Sequence, residues 1–176
     1  MRFPPLLAIA ALAATATALA DAAALVAQIK ALKAQTADLG AAVASWDGGP
    51  LSALPITADA AALLQRTRAA ARLANQSARL AGNQALAAAL AAAQLCQAVP
   101  PALQAMVDAK PKFDGLVFLS PVVLGDLEMQ RDASRDLGQA LVAKLPASWA
   151  AVAKSLVKGV DDAFAAAIDK YSVFAV

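Results

Sequence analysis

LVAQIKALKAQTADLGAAVASW, residues 25–46, repeats an apolar side chain at alternating steps of four and three. The series is Leu25, Ile29, Leu32, Thr36, Leu39, Val43 and Trp46, in which only Thr36 is polar. With 3.6 residues per turn, positions so spaced fall on one side of an α-helix. Most of the remaining positions are alanine or polar, so the apolar stripe is narrow. A helix of this kind is marginal alone in water and is stabilised by packing its stripe against others. The rest of the chain is therefore read as the helices that cover it.

Composition supports that reading. Alanine, the strongest helix former, is the commonest of the 176 residues, and β-branched residues never alternate over a useful stretch. The expected fold is all-α: one domain, a bundle of about five helices, long enough to bury a real core. Basic residues number 15 and acidic 13, giving a net charge of +2, or +1 if Arg2 is removed with a leader. Such a balance does not suit a polyanion, so nucleic acid is excluded as a partner. There is no histidine. That removes the commonest general base and metal ligand, and with them any Ser-His or Cys-His nucleophile. Cys96 stands alone, which forbids an internal disulfide and a zinc site, and it reads as a small buried apolar residue rather than a reactive thiol. The expectation is a protein with no catalytic residues, no metal and no cofactor.

Residues 1–20 read as a secretory signal, with Arg2 at the start, an apolar run Leu6 to Ala14, and Ala18-Leu19-Ala20 as the cleavage site. Cleavage between Ala20 and Asp21 would leave Asp21 as a cap for the first helix. That helix is expected to stop at Trp46-Asp47-Gly48-Gly49-Pro50, with a loop over 51–56 and a second helix capped by Thr57. Along the second helix, Gln65, Arg68, Arg72, Asn75, Gln76 and Arg79 fall on one side, opposite Leu63, Thr67, Ala70, Ala74 and Ala78. This polar stripe reads as a solvated face, and the alternative is a site for an anionic partner. Asn75-Gln76-Ser77 is an N-glycosylation sequon on that stripe. A third helix, from Gln84 to about Val99, is apolar almost all round and is expected in the middle of the bundle, ended or bent by Pro100-Pro101. Residues 110–124 are rich in large apolar side chains but broken by Gly115 and Pro121. They read either as a connection over one end of the core or as a flap beside an apolar cavity. Ser120-Pro121 signals a fourth helix, whose Glu128–Arg131 and Asp132–Arg135 spacings suit exposed ion pairs. A fifth helix carries Trp149, Val152, Leu156, Val160, Phe164 and Tyr171 at helical spacing, before a tail over 172–176.

Several short runs carry a resemblance. Trp46-Asp47-Gly48-Gly49, Asp108-Ala109-Lys110-Pro111-Lys112-Phe113-Asp114 and Val123-Leu124-Gly125-Asp126-Leu127 occur in this order around the helix ends. Ala140 to Pro146 and Asp161 to Ile168 continue the series, and the pattern spans Asp21 to Tyr171. It resembles the fungal hydrophobic surface-binding protein A and cell-wall galactomannoprotein family. The resemblance implies a secreted or wall-associated helical bundle that adsorbs to hydrophobic surfaces. In that family some relatives bind fatty acids between their helices, and some bring lipolytic enzymes to a surface. The chain departs from the family in a short Gly82-Asn83 connection and in alanine at many core positions.

Two functional readings follow. In one, the bundle holds a fatty acid or other lipid. Its site is expected where Pro100-Pro101 would bend the third helix, lined by Leu95, Leu103, Met106, Phe113, Leu124, Leu127 and Phe164. Lys110 and Lys112 would be solvated there, or would hold a carboxylate at the mouth. In the other reading the protein is a structural cell-wall mannoprotein whose small side chains fill the core and leave no cavity.

Overall fold

A computed structural model describes the backbone of residues 6–116 and 119–172, and side chains from Asp21 onward within those ranges. The side chains of the expected signal segment, 1–20, and the tail after Ser172 lie outside the described residues. Five helices follow one another: α1 Leu6–Ser45, α2 Pro50–Gln76, α3 Gly82–Asp114, α4 Leu119–Lys144 and α5 Ala147–Ser172.

The apolar stripe from Leu25 to Trp46 is buried along its whole length. Leu25, Ile29 and Val43 are fully enclosed, and Thr36 is buried with its hydroxyl donating to the Leu32 carbonyl at 2.8 Å. A polar residue is tolerated there because its own helix supplies the acceptor. At Gly48 the backbone takes φ +89°, which turns the chain out of α1 at the expected place. Trp46 closes the turn by donating its indole N–H to the Gly49 carbonyl and the Ser52 hydroxyl.

Helix boundaries depart from expectation around the prolines. The expected loop over 51–56 is the first part of α2, which starts at Pro50 rather than at Thr57. The Thr57 hydroxyl donates back to the Leu54 carbonyl instead of capping. Helix α3 likewise runs through Pro100, Pro101 and Pro111 to Asp114, so neither the break at 100–101 nor the loop from 110 is found. Each of these prolines is exposed. A proline orphans the carbonyl four residues back, on its own side of the helix, and there water can serve as the donor. Ser120 is buried inside α4 and donates to Asp114, so it bridges two helices rather than capping one.

The helices alternate in direction between two poles. Lys112, at the end of α3, donates to the Trp46 carbonyl at the end of α1, which places both ends at one pole, called upper here. Lys144, at the end of α4, donates to the carbonyls of Asn75 and Ser77, and Leu80 N–H donates to the Lys144 carbonyl, so α2 and α4 end together at the lower pole. Helix α5 starts there and finishes beside α3, where the Tyr171 hydroxyl donates to the Met106 carbonyl at 2.6 Å. Packing joins α1 to α2, α2 to α4, α4 to α5, α5 to α3 and α3 to α1. The five helices therefore close a ring.

Ring closure corrects the placement of α3, which is a wall and not the centre. It packs chiefly along α1, and the buried side chains of its first half are Ala85, Ala88 and Ala91. At Gly40 the two helices meet so closely that an added Cβ would lie 2.9 Å from the Ala102 Cα. Small residues occupy that contact because larger ones would force the axes apart. The leucines Leu86 and Leu90 are left 43% and 55% exposed. At the upper pole Trp46, Phe113 and Tyr171 pack as an aromatic chain, with centroids 4.5 and 6.4 Å apart.

Candidate functional site

Inside the ring lies a cavity of about 240 Å³. All five helices contribute to its wall. Leu32 and Leu39 come from α1, Leu63 and Leu64 from α2, Val99 and Leu103 from α3, Leu127 and Leu141 from α4, and Leu156 and Phe164 from α5. The wall is almost wholly apolar, which disfavours water as its filling. Three of its residues are exposed, Leu90 on α3 and Trp149 and Val152 on α5. They mark the mouth, on the lower half between α3 and α5. No side chain from Ala147 to Ala163 is buried, whereas Phe164, Ala167 and Tyr171 are. The first turns of α5 thus hold Trp149 and Val152 at the open edge of the cavity, before Val157 packs on Gly138 of α4.

Polar groups enter the wall mainly from α4. The Gln130 amide donates to the Thr67 hydroxyl at 2.9 Å, and Thr67 donates to the Leu63 carbonyl. The Gln130 carbonyl oxygen is enclosed without a partner. One turn earlier Asp126 lines the same wall, and burial raises its pKa above the ordinary carboxylate value. On the α5 side, Arg131 and Arg135 both grip Asp161 through two bonds each, at 2.7 and 3.0 Å and at 2.5 and 2.9 Å. Asp161, and Asp132 at 3.8 Å from Arg135, balance the charge of the two guanidiniums at the cavity wall. The expected Glu128–Arg131 pair is not among the ion pairs, because Arg131 reaches across to α5 instead. Arg135 keeps a longer contact of 3.8 Å with Asp132.

The two guanidiniums hold the Asp161 carboxyl far below the usual carboxylate range. A depressed folded-state pKa contributes stability that is complete above the unfolded value of about 4 and is lost as pH falls below it. Asp161→Asn is expected to cost about 1–3 kcal/mol near neutrality, since the partly exposed cluster loses its charge but keeps its packing. The variant should also show a shallower loss of stability below pH 4 in urea melts. An acid limb identical to that of the parent would mean that the clamp contributes nothing.

The structure brings five of the seven expected lipid-site residues to the cavity: Leu95, Leu103, Met106, Leu127 and Phe164. The other two lie elsewhere. Phe113 is in the aromatic chain of the upper pole, and Leu124 packs half-buried on the core. Lys110 pairs with Asp114 at 2.6 Å and Lys112 bonds the Trp46 carbonyl, so both serve the upper pole and neither lines the cavity. Cys96 is half-buried on the cavity wall rather than enclosed in the core, and burial raises its thiol pKa above 9.0. The contributions of α1, α2 and the start of α5 were missed. An apolar face turned inward has the same sequence pattern whether it meets a side chain or a space. Among the described residues no group of three or more His, Cys, Asp or Glu is placed to hold a metal.

The sequence model for hydrophobic surface binding protein A matches residues 22–143, most of the chain. The chain belongs to that family. No curated protein matches it by sequence. Among solved structures, AfMp4p in complex with palmitic acid superposes with a TM-score of 0.82 at 23% identity, covering 85% of this chain and 99% of that one. Ligand-binding domain 1 of the Penicillium marneffei MP1 protein, complexed with arachidonic acids, gives 0.77 at 18% identity, with 83% and 95% covered. Domain 2 of the same protein, also with arachidonic acids, gives 0.77 at 19% identity, with 88% and 96% covered. At these identities the likeness shows a shared fold and nothing more.

Proposed function

We propose that the protein binds a long-chain fatty acid in the central cavity and is a carrier and surface-adsorbing protein, not an enzyme. The observation that carries this reading is an apolar space of about 240 Å³ walled by all five helices. A packed-core wall protein would have no such space. Palmitic and arachidonic acids in complexes of the same fold support the ligand class. Each methylene moved from water into the cavity contributes about 0.8 kcal/mol. Arg131 and Arg135, which line the wall, are the cations placed to meet the carboxylate end.

Family membership supports an extracellular or wall-associated setting, reached through a signal over residues 1–20 cleaved between Ala20 and Asp21. Asn75 is exposed at the end of α2 and is proposed to carry a glycan. The resemblance also suggests secreted lipolytic enzymes as partners that share the surface.

Cys96 provides a direct test. Delipidated protein mixed with palmitic acid should gain the mass of one acid in native mass spectrometry. Alkylation of Cys96 at pH 8.5, slow because the thiol pKa is raised, should slow further by about tenfold when the acid is bound, since reaction needs an accessible thiolate. No mass gain together with an unchanged alkylation rate would dismiss the cavity as the site.

A further inference from the structure

We infer that the rim of the cavity mouth is the face by which this protein lies on a lipid–water interface, so that the cavity opens directly into the lipid it loads from. The second half of this inference rests on the fatty-acid reading above. The rim is Leu90, Trp149 and Val152, which also line the cavity, with Leu86 one turn away on the same side of α3. It is therefore the inner wall continued to the outside, and an occupant suited to one suits the other.

Three features point to a lipid surface rather than a folded partner. The first is charge: residues 82–107 of α3 and 147–153 of α5 contain no ionisable acid or base apart from the neutral Cys96 thiol. The nearest cations along α5, Lys154 and Lys158, fall on the side of the helix away from Trp149, Val152 and Leu156. Laying this rim on hydrocarbon desolvates no ion. The second is Trp149, 37% exposed, whose amphipathic ring is of the kind enriched at membrane–water boundaries. The third is that α5 packs on its neighbours only from Val157 onward, against Gly138 of α4 and the core, which leaves Trp149 and Val152 exposed at its start.

A competing face exists at the upper pole, where Leu51 and Leu54 are 81% and 62% exposed. Neither lines the cavity. Leu51 adjoins Ser52, which donates to Asp47, and the Ser52 and Gly49 donors hold that carboxyl ionised. Contact there would bring a charge against hydrocarbon.

The two faces can be told apart with vesicles of neutral phosphatidylcholine brominated on the acyl chains. Bromine quenches tryptophan on contact. Trp149 should be quenched and blue-shifted, while Trp46, buried at the upper pole, stays unquenched as the internal reference. Leu86→Asp, outside the cavity lining, should lower vesicle partition by about tenfold or more, because one apolar contact is replaced by a charge. Leu51→Asp should leave partition unchanged, and 1 M NaCl should leave that of the parent unchanged. The inference is overturned if Leu51→Asp loses partition and Leu86→Asp keeps it, if bound protein shows no quenching, or if salt releases it. Uptake of palmitic acid from solution is measured separately and should survive Leu86→Asp. A parent that adsorbs through Trp149 but takes up no acid refutes the fatty-acid reading and keeps the adsorbing face. A parent that takes up acid but adsorbs elsewhere does the reverse.

Discussion

Phenylalanine in place of Cys96 is expected to weaken palmitic acid binding by a hundredfold or more while leaving the melting temperature unchanged or higher. Cys96 lies midway along α3 on the cavity wall, half-buried, with Val99, Leu103 and Leu95 around it. A phenyl ring there projects into the space and needs no hydrogen-bond partner. If it displaces about four to six methylenes of the ligand, the loss is about 3–5 kcal/mol, since each contributes about 0.8. The protein itself gains, because filling an apolar void restores contacts that the empty wall lacks. Calorimetric titration and a thermal melt of the same sample measure both halves. Undiminished binding would place the acid outside the ring.

The second large effect is on stability. Phe113→Ala is expected to cost about 3–5 kcal/mol, a large share of the 5–15 kcal/mol typical of a domain. Phe113 is 1% exposed between Trp46 and Tyr171, and its loss leaves a hole that three helix ends share. Tyr171 cannot follow it inward without giving up its bond to the Met106 carbonyl. At temperatures where the variant is still folded, palmitic acid should bind as it does to the parent, because Phe113 does not line the cavity. Urea unfolding followed by circular dichroism gives the cost. A variant that is stable but binds no acid would show that the aromatic chain belongs to the site after all.

How much of this is legible in the sequence depends on how local each pattern is. The stripe of α1 could be read outright, because six positions on one helix and Trp46 just past its end carry the whole pattern and all seven are buried. The start of α2 was misread because Gly49-Pro50 and Pro55 are breaker signals, and a proline on the solvent side of a helix does not break it. Helix α3 was placed centrally because it is apolar all round. Its alanines and leucines in fact divide the work, small residues against α1 and large ones toward the cavity and its mouth. The Arg131–Asp161 pair spans 30 residues and two helices, so spacing along one helix favoured Glu128 instead. Five of the seven expected residues line the cavity because they belong to inward faces. Phe113 was grouped with them by proximity in sequence, and only the packing of α1 and α5 against it assigns it to the other pole.

The order of the ring also governs how the chain can reach this state. Helices α2 and α3 follow each other in sequence but do not pack together, and α3 touches α4 only briefly. The hairpins that can form early are α1–α2 and α4–α5, at the two ends of the chain. Helix α3 then has to bridge α1 and α5, while α2 finds α4 across a long stretch of intervening chain. Contacts so distant in sequence are slow to form, because the entropy of closing the loops is lost before the contacts are gained. The interior space exists only when all five helices are in place, because all five wall it. A lipid cannot be enclosed by any shorter, half-made version of the bundle.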